Sequence, residues 1–229
     1  MNNLEVVRLL VASHRVNPDS KDHFFGRSPL SWAAARGHLQ VLQLLLTQSG
    51  VDPDSMDIDG RSPLSWAAGQ GHLDVVMQLL AEEDVQVDSK DDEGQTPLSW
   101  AAENGHYSVV ALLLGHPDID PNSRDDWGWT PLAWAAWLGQ EAVVQVLLED
   151  NRVQPDTKDH FCGWTPLALA AQGGHFGVIQ KLFALGDVVD PNSRDFGGRT
   201  PMCWAAESHQ HILIRIFSER ENHQSTNQK

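Results

Sequence analysis

Only two cysteines, Cys162 and Cys203, occur in 229 residues, and they make no paired spacing of the kind that staples secreted domains. Free thiols in a reducing, cytoplasmic setting are the expectation. Basic residues are scarce too: 16 Lys or Arg stand against 31 Asp or Glu, and the resulting charge of −15 repels phosphate and argues against a nucleic-acid reader, which needs a basic stripe. Long apolar runs are missing. The longest, Val41 to Leu46, is broken by Gln43 and falls far short of the ~18 residues of a membrane span. Met1 to Val11 lacks the basic flank and small-residue cleavage site of a signal peptide. Tyrosine is nearly absent: one Tyr beside nine Trp is an uneven aromatic load that needs a structural explanation.

What the chain does have is a repeat. Ser28-Pro29-Leu30-Ser31-Trp32-Ala33-Ala34 recurs as variants at 62–68, 96–102, 130–136, 165–171 and 200–206, with prolines at 29, 63, 97, 131, 166 and 201. Glycines at 26, 60, 94, 128, 163 and 198 keep the same phase, and Gly-His follows at 37, 71, 105 and 174. Units this small cannot bury their own apolar faces and must stack on their neighbours. Within a unit, Ser or Thr before Pro reads as a helix start, the hydroxyl capping a first-turn N–H and Pro occupying the first helical position. Leu98, Ala101 and Ala102 form one narrow apolar stripe, and Gly105 stops the helix. A second helix carries Val109, Val110, Leu112, Leu113 and Leu114 as a broad buried face, with Gly115 as a left-handed cap. The Asp-, Pro- and Gly-rich stretch 119–128 is turn chemistry rather than a strand. The alanine pairs let neighbouring helices approach closely.

Thr96-Pro97-Leu98-Ser99-Trp100-Ala101-Ala102, Gly105-His106 and the apolar helix at Val109 to Leu114 resemble the ankyrin repeat. The resemblance covers about residues 1 to 217 and implies an all-α solenoid of stacked helix-turn-helix pairs with hairpin-like turns. It divides the chain into a half repeat at 1–21, repeats at 22–56, 57–90, 91–124, 125–158 and 159–194, a C-terminal repeat at 195–220 and a disordered tail at 221–229. Two departures are systematic: Ser31, Ser65, Ser99, Ala133, Ala168 and Cys203 replace the family's histidine, so its hydrogen bonds between units must be replaced or absent. Trp32, Trp66, Trp100, Trp134 and Trp204 take the next position, with Leu169 as the exception. This Ser-Trp-Ala-Ala variant resembles the C-terminal ankyrin arrays of fungal NLR-like proteins that carry a nucleotide-binding signalling domain.

The array opens on a second helix, so Leu4, Val7, Leu10 or Val11 would lie uncovered, and the chain reads as a fragment or a truncated product. A monomer is expected unless that helix pairs. Ile212, Leu213, Ile214, Ile216 and Phe217 continue an apolar helix at the other end, with His209, Gln210, His211, Arg215, Glu219 and Arg220 as a partial cap.

Chemistry-bearing residues give little support to catalysis. His38, His72, His106 and His175 share one phase and should sit about 8–10 Å apart, too far for zinc; backbone hydrogen bonds fixing the loop between paired helices are their expected role. The calcium-loop-like run from Ser55 to Gly60 fails at its twelfth position, Trp66. No metal or cofactor is expected. Gly173-Gly174 and Gly197-Gly198 lack the Lys and Ser or Thr of a phosphate loop, and Cys162 near His160 has no third group to orient it. The six linker turns hold 17 acidic and 5 basic residues, a net −12, lined along one edge as a solvated row or a guide for a basic partner.

The five phased tryptophans read as a stacked ladder between units. Trp127, Trp129, Trp137 and Trp164 break the phase. The ankyrin resemblance implies a concave binding face of turn tips and first-helix ends: Phe24, Phe25, Arg27, Asp59, Arg61, Gln70, Glu93, Gln95, Glu103, Asn104, Trp127, Trp129, Trp137, Leu138, Phe161 and Trp164. Among these, Trp127, Trp129, Trp137, Leu138, Phe161 and Trp164 are expected to form an exposed aromatic patch where a protein or peptide docks. The expected function is a non-catalytic interaction module; a partnerless structural spacer is the alternative.

Overall fold

The computed structural model describes residues 4–13, 15–208, 210, 211 and 214–218. The tail at 221–229 lies outside the described residues, as do His209, Ile212, Leu213, Glu219 and Arg220 of the expected terminal helix and cap. Two compact units divide the chain, Met1–Asp120 and Pro121–Lys229. The first holds α1 (Leu4–Ala12), α2 (Pro29–Ala35), α3 (Leu39–Leu46), α4 (Pro63–Gly69), α5 (Leu73–Leu79), α6 (Pro97–Glu103) and α7 (Tyr107–Leu114). The second holds α8 (Pro131–Trp137), α9 (Glu141–Glu149), α10 (Pro166–Gly173), α11 (Phe176–Phe183) and α12 (Pro201–Glu207), followed by a helical segment at 214–218. No strand occurs among the described residues.

Helices of seven to nine residues are well below the ~12–15 at which an isolated helix holds in water, so packing must sustain them. In the first unit α2, α4 and α6 pack in succession, and α1, α3, α5 and α7 form a parallel row behind them. The second unit repeats the plan with α8, α10 and α12 in front of α9 and α11. Leu30, Leu64, Leu98, Leu132 and Leu167 are fully buried, and the alanine pairs are buried with them, as the close approach of first helices requires. The hydroxyls of Ser28, Ser62, Thr96, Thr130 and Thr165 accept the N–H three residues on. Thr200 departs from that expectation, its hydroxyl lying 3.4 Å from the Cys203 thiol.

Three further expectations need correction. Val109, Val110 and Leu113 of α7 are buried, but Leu112 and Leu114 are only half-buried, because the contact with the neighbouring helices takes one side of a short helix rather than a broad face. Gly115 is right-handed (φ −69°); its N–H turns back onto the Ala111 and Leu112 carbonyls, which needs no left-handed residue. Left-handed glycines do stand after first helices, as at Gly71 (φ 73°), and at turn tips, as at Gly60 (φ 74°). Finally, α1 lays Leu4, Val7 and Val11 half-buried on the side of α3, leaving Val6, Leu9 and Leu10 as its exposed apolar residues.

Histidine ties repeats together as well as pinning its own loop, where the N–H groups of His72, His106 and His175 donate to the Ala67, Ala101 and Ala170 carbonyls. His72 Nε2 lies 3.2 Å from the Ala35 carbonyl, His106 Nε2 3.1 Å from that of Gly69, and His175 Nε2 2.8 Å from that of Trp137, each at the end of the preceding first helix. A Cβ on Gly71 would stand 2.5 Å from His106 Nδ1, so the Gly-His pair is a joint: the glycine of one repeat leaves the space that the next imidazole fills. Where the family's first-helix histidine is missing, Ser31 Oγ donates to the Ser55 carbonyl of the next repeat at 3.3 Å.

Linker carboxylates make another joint, an incomplete one. Asp54 and Asp88 accept the backbone N–H of Gln86 (2.6 Å) and Asp120 (3.2 Å), and in the second unit Asp156 accepts that of Asp190 (3.3 Å). Their other oxygens, like Asp19 Oδ1, are buried and find no donor among the described residues. Burial accordingly pushes the carboxyls of Asp19, Asp54, Asp88 and Asp156 above the ordinary 3.8. Asn122 occupies the same place in the next turn and resolves the problem: Oδ1 accepts Gln154 N–H at 2.7 Å while Nδ2 donates to the Arg152 carbonyl at 2.8 Å. Replacing Asp54 or Asp156 by Asn should therefore stabilise the fold by about 0.5–1 kcal/mol per site at pH 7. A raised carboxyl keeps a proton in the folded chain that the unfolded chain has released, so stability falls as pH rises through its folded value. Thermal melts should show the parent gaining stability from pH 7 into the mildly acidic range, and the triple variant Asp54→Asn, Asp88→Asn, Asp156→Asn losing most of that slope; an unchanged slope would refute the assignment.

Candidate binding surface

Each turn is organised by one aspartate. Asp57 Oδ1 gathers the N–H groups of Asp59 and Arg61 at 3.1 and 2.9 Å, and Asp91 and Asp125 do the same in their own turns. The second oxygen receives an indole: Trp32 Nε1 donates to Asp22 at 2.9 Å, Trp66 to Asp57 at 2.9 Å, Trp100 to Asp91 at 2.8 Å, Trp134 to Asp125 at 2.8 Å and Trp204 to Asp195 at 3.0 Å. The phased tryptophans thus clamp the turn tip onto the first helix. A signal for this stood in the sequence, a spacing of nine or ten residues from Asp to Trp. One consequence corrects the picture of a solvated acidic edge, since Asp57, Asp91, Asp125 and Asp159 are buried.

The ladder is also built differently from a stack of indoles. In the first unit the guanidinium of Arg27 lies 4.7 Å from the Trp32 ring and 3.6 Å from Trp66, and Arg61 lies 3.6 Å from both Trp66 and Trp100. Cations and indoles alternate, and Trp66 is covered by one guanidinium on each side. Burial holds Arg61 down to about 10, against the pull of Asp91 and Asp57. Gly69 leaves room for this arginine, whose terminal nitrogen would stand 3.3 Å from a Cβ there.

Trp129 and Trp164 occupy the position of Arg27 and Arg61, two residues before the proline, so they obey a shared packing rule after all. Trp129 meets Trp134 at 4.6 Å and Trp137 at 5.9 Å; Trp164 meets Trp204 at 4.7 Å. Trp127 stands edge-on to Trp134 at 6.2 Å and remains 40% exposed. Together Trp127, Trp129, Trp134, Asp159, Phe161, Cys162 and Trp164 line a mostly apolar cleft of about 290 Å³. Leu138 and Phe161 are exposed, Phe161 at 69%.

In the first unit Phe24 (84%) and Phe25 are exposed at the tip of the first turn, whereas Gln95 is buried and donates to Glu103 at 2.9 Å. Arg27 is half-buried and forms an ion pair with Asp57 at 3.4 Å. Sequence reasoning passed over two exposed tip residues, Ile58 and Phe196, which stand directly after a turn aspartate. Their signal is phase: His160 and Asp92 hold the same place, and a Cβ on the tip glycine of the preceding repeat would collide with each of the four.

The sequence model of the family described as ankyrin repeats (3 copies) matches residues 1–91, 30–125, 71–159 and 151–228, overlapping along nearly the whole chain. The chain belongs to the ankyrin-repeat family. A search of curated proteins gave no match. Ankyrin repeats are generally protein-interaction modules and typically non-catalytic, and the fold seen here is their all-α one. Among the described residues no helix is long and apolar enough to cross a membrane, and no cluster of His, Cys, Asp and Glu is arranged to hold a metal. Within this ankyrin array, the exposed Cys162 thiol is pushed up by burial and by Asp159 and Asp195, which disfavours the nucleophilic thiolate.

Proposed function

We propose that the array binds a protein or peptide on the concave face that turn tips and first-helix ends form in ankyrin repeats. The observation that carries this reading is the aromatic cleft of the second unit, an apolar surface left open among Trp127, Trp129, Trp134, Phe161 and Trp164. Trp127, Trp129, Trp137, Leu138, Phe161 and Trp164 form its docking patch, since aromatic anchors dominate interface energetics. Phe24 and Phe25 offer apolar contact in the first unit, while Arg27, Arg61, Gln95 and Glu103 act there mainly by holding the ladder in shape. The module works as a monomer in the cytoplasm, divided into repeats at the boundaries given above. The Ser-Trp-Ala-Ala wording supports a further role as the sensing array of a fungal NLR-like receptor.

Leu138 and Phe161 lie outside the ladder and are exposed, so the double variant Leu138→Ala, Phe161→Ala should melt within ~2 °C of the parent. Crosslinking and mass spectrometry in cell extract should then show the parent's partner reduced about tenfold or more. Equal capture by parent and variant would sink the proposed patch.

A further inference from the structure

The cleft owes its existence to a break in the ladder. A ladder indole such as Trp66 is bounded by three groups: the residue two before the proline in its own repeat (Arg61), the same residue of the preceding repeat (Arg27), and its own turn aspartate (Asp57). In the fifth repeat the corresponding groups are Trp164, Trp129 and Asp159, and all three line the cleft. The ladder residue itself is Leu169, which is fully buried and does not line it. Asp159 accordingly receives no indole, although Asp22, Asp57, Asp91, Asp125 and Asp195 each do. Its Oδ1 accepts the N–H groups of Phe161, Cys162 and Gly163, and Oδ2 accepts only that of Trp164, at 3.1 Å. A carboxylate oxygen has room for a second donor.

We infer that this cleft takes an arginine side chain from the partner, its guanidinium lying between the Trp129 and Trp164 indoles and donating to Asp159 Oδ2. The first unit shows the chemistry in place: Arg27 lies 3.6 Å from the Trp66 ring while its Nε donates to Asp57 Oδ2 at 3.4 Å. A planar guanidinium stacks on indole and keeps its in-plane N–H groups for the carboxylate, which an ammonium cannot do in the same way. The chain's charge of −15 favours a cationic segment over an acidic one.

This inference rests on the binding-module reading and deepens it. Titration of the full chain with acetyl-Gly-Arg-Gly-amide, followed by the indole N–H signals in ¹H–¹⁵N spectra, should shift Trp164 and Trp134 saturably. Acetyl-Gly-Lys-Gly-amide should bind about threefold to tenfold more weakly, and the leucine tripeptide more weakly still. Phe161→Ala, which removes an exposed wall, should weaken the arginine probe; Leu169→Trp, which supplies the missing rung, should abolish its shifts while Trp204 keeps its folded position. Equal shifts with lysine or leucine would overturn the guanidinium assignment, and so would saturable arginine binding that survives in a folded Leu169→Trp chain. Failure of all three probes while the parent still captures a partner that Leu138→Ala, Phe161→Ala loses would refute the arginine pocket and leave the docking patch standing. Loss of that partner difference together with intact arginine binding would do the reverse.

Discussion

Asp57→Ala should lower stability by about 3–5 kcal/mol, the largest single loss expected in this chain. The carboxylate accepts the N–H groups of Asp59 and Arg61, the indole of Trp66 and the guanidinium of Arg27, so its removal leaves four donors without an acceptor at once. Water does little to replace the lost acceptor: the Arg27 side chain is 13% exposed and that of Asp57 0%. The cation that remains is the costly part, because Arg27 stays between Trp32 and Trp66 with its countercharge gone. Urea denaturation read by tryptophan fluorescence would measure the loss. Asp57→Asn is the informative companion, since an amide oxygen still serves the turn but the amide nitrogen meets both the indole and the guanidinium donor-to-donor. It should fall between parent and Asp57→Ala; a loss under about 1 kcal/mol for Asp57→Ala, as for a surface ion pair, would show that the clamp is ornamental.

Leu113→Ala should cost about 3–5 kcal/mol, whereas Leu112→Ala, one residue away in α7, should cost about 1–2. Leu113 is fully buried and leaves a cavity when truncated, while the half-buried Leu112 has solvent on one side and leaves none. The same denaturation experiment decides, and equal losses would contradict the one-sided packing of α7. From the sequence alone the two leucines were indistinguishable. An all-leucine run has no polar face to fix its rotation, so which residues turn inward depends on where the neighbouring helices lie. The rest of the helix pattern was readable because proline, capping hydroxyls and glycine act locally, within a turn of the residue that carries them.

The ladder was half legible for a related reason. Recurrence at fixed phase marked Trp32, Trp66, Trp100, Trp134 and Trp204 as structural, but what touches them comes from other positions: an aspartate nine or ten residues earlier and an arginine five residues earlier in the same repeat and its predecessor. Once Arg27, Arg61, Trp129, Trp164 and Arg199 are aligned as one position, the supposed irregularity of Trp129 and Trp164 disappears. Trp127 and Phe161 are different, since both keep exposed surface that the ladder does not cover, and the docking patch they belong to stands as a proposal. Leu169 stands out in the sequence as the one break in the tryptophan phase, but what the break leaves behind does not. That shows only once Asp159 is seen without an indole.

The joints between repeats share one property of distance along the chain. Lys21 reaches the Met56 carbonyl 35 residues on, His72 reaches back 37 to Ala35, Asp54 takes a donor 32 residues ahead, and each tie stops at the adjacent repeat. Excising or doubling one whole period would hand such a tie to the residue of the same phase in the new neighbour wherever that residue carries the same donor or acceptor. Gain or loss of a whole repeat would therefore yield chains that differ in length yet keep the joints whose residues recur in phase. Leu169 occurs once in the ladder position, so a gain or loss of the repeat that carries it would add or delete the cleft with it.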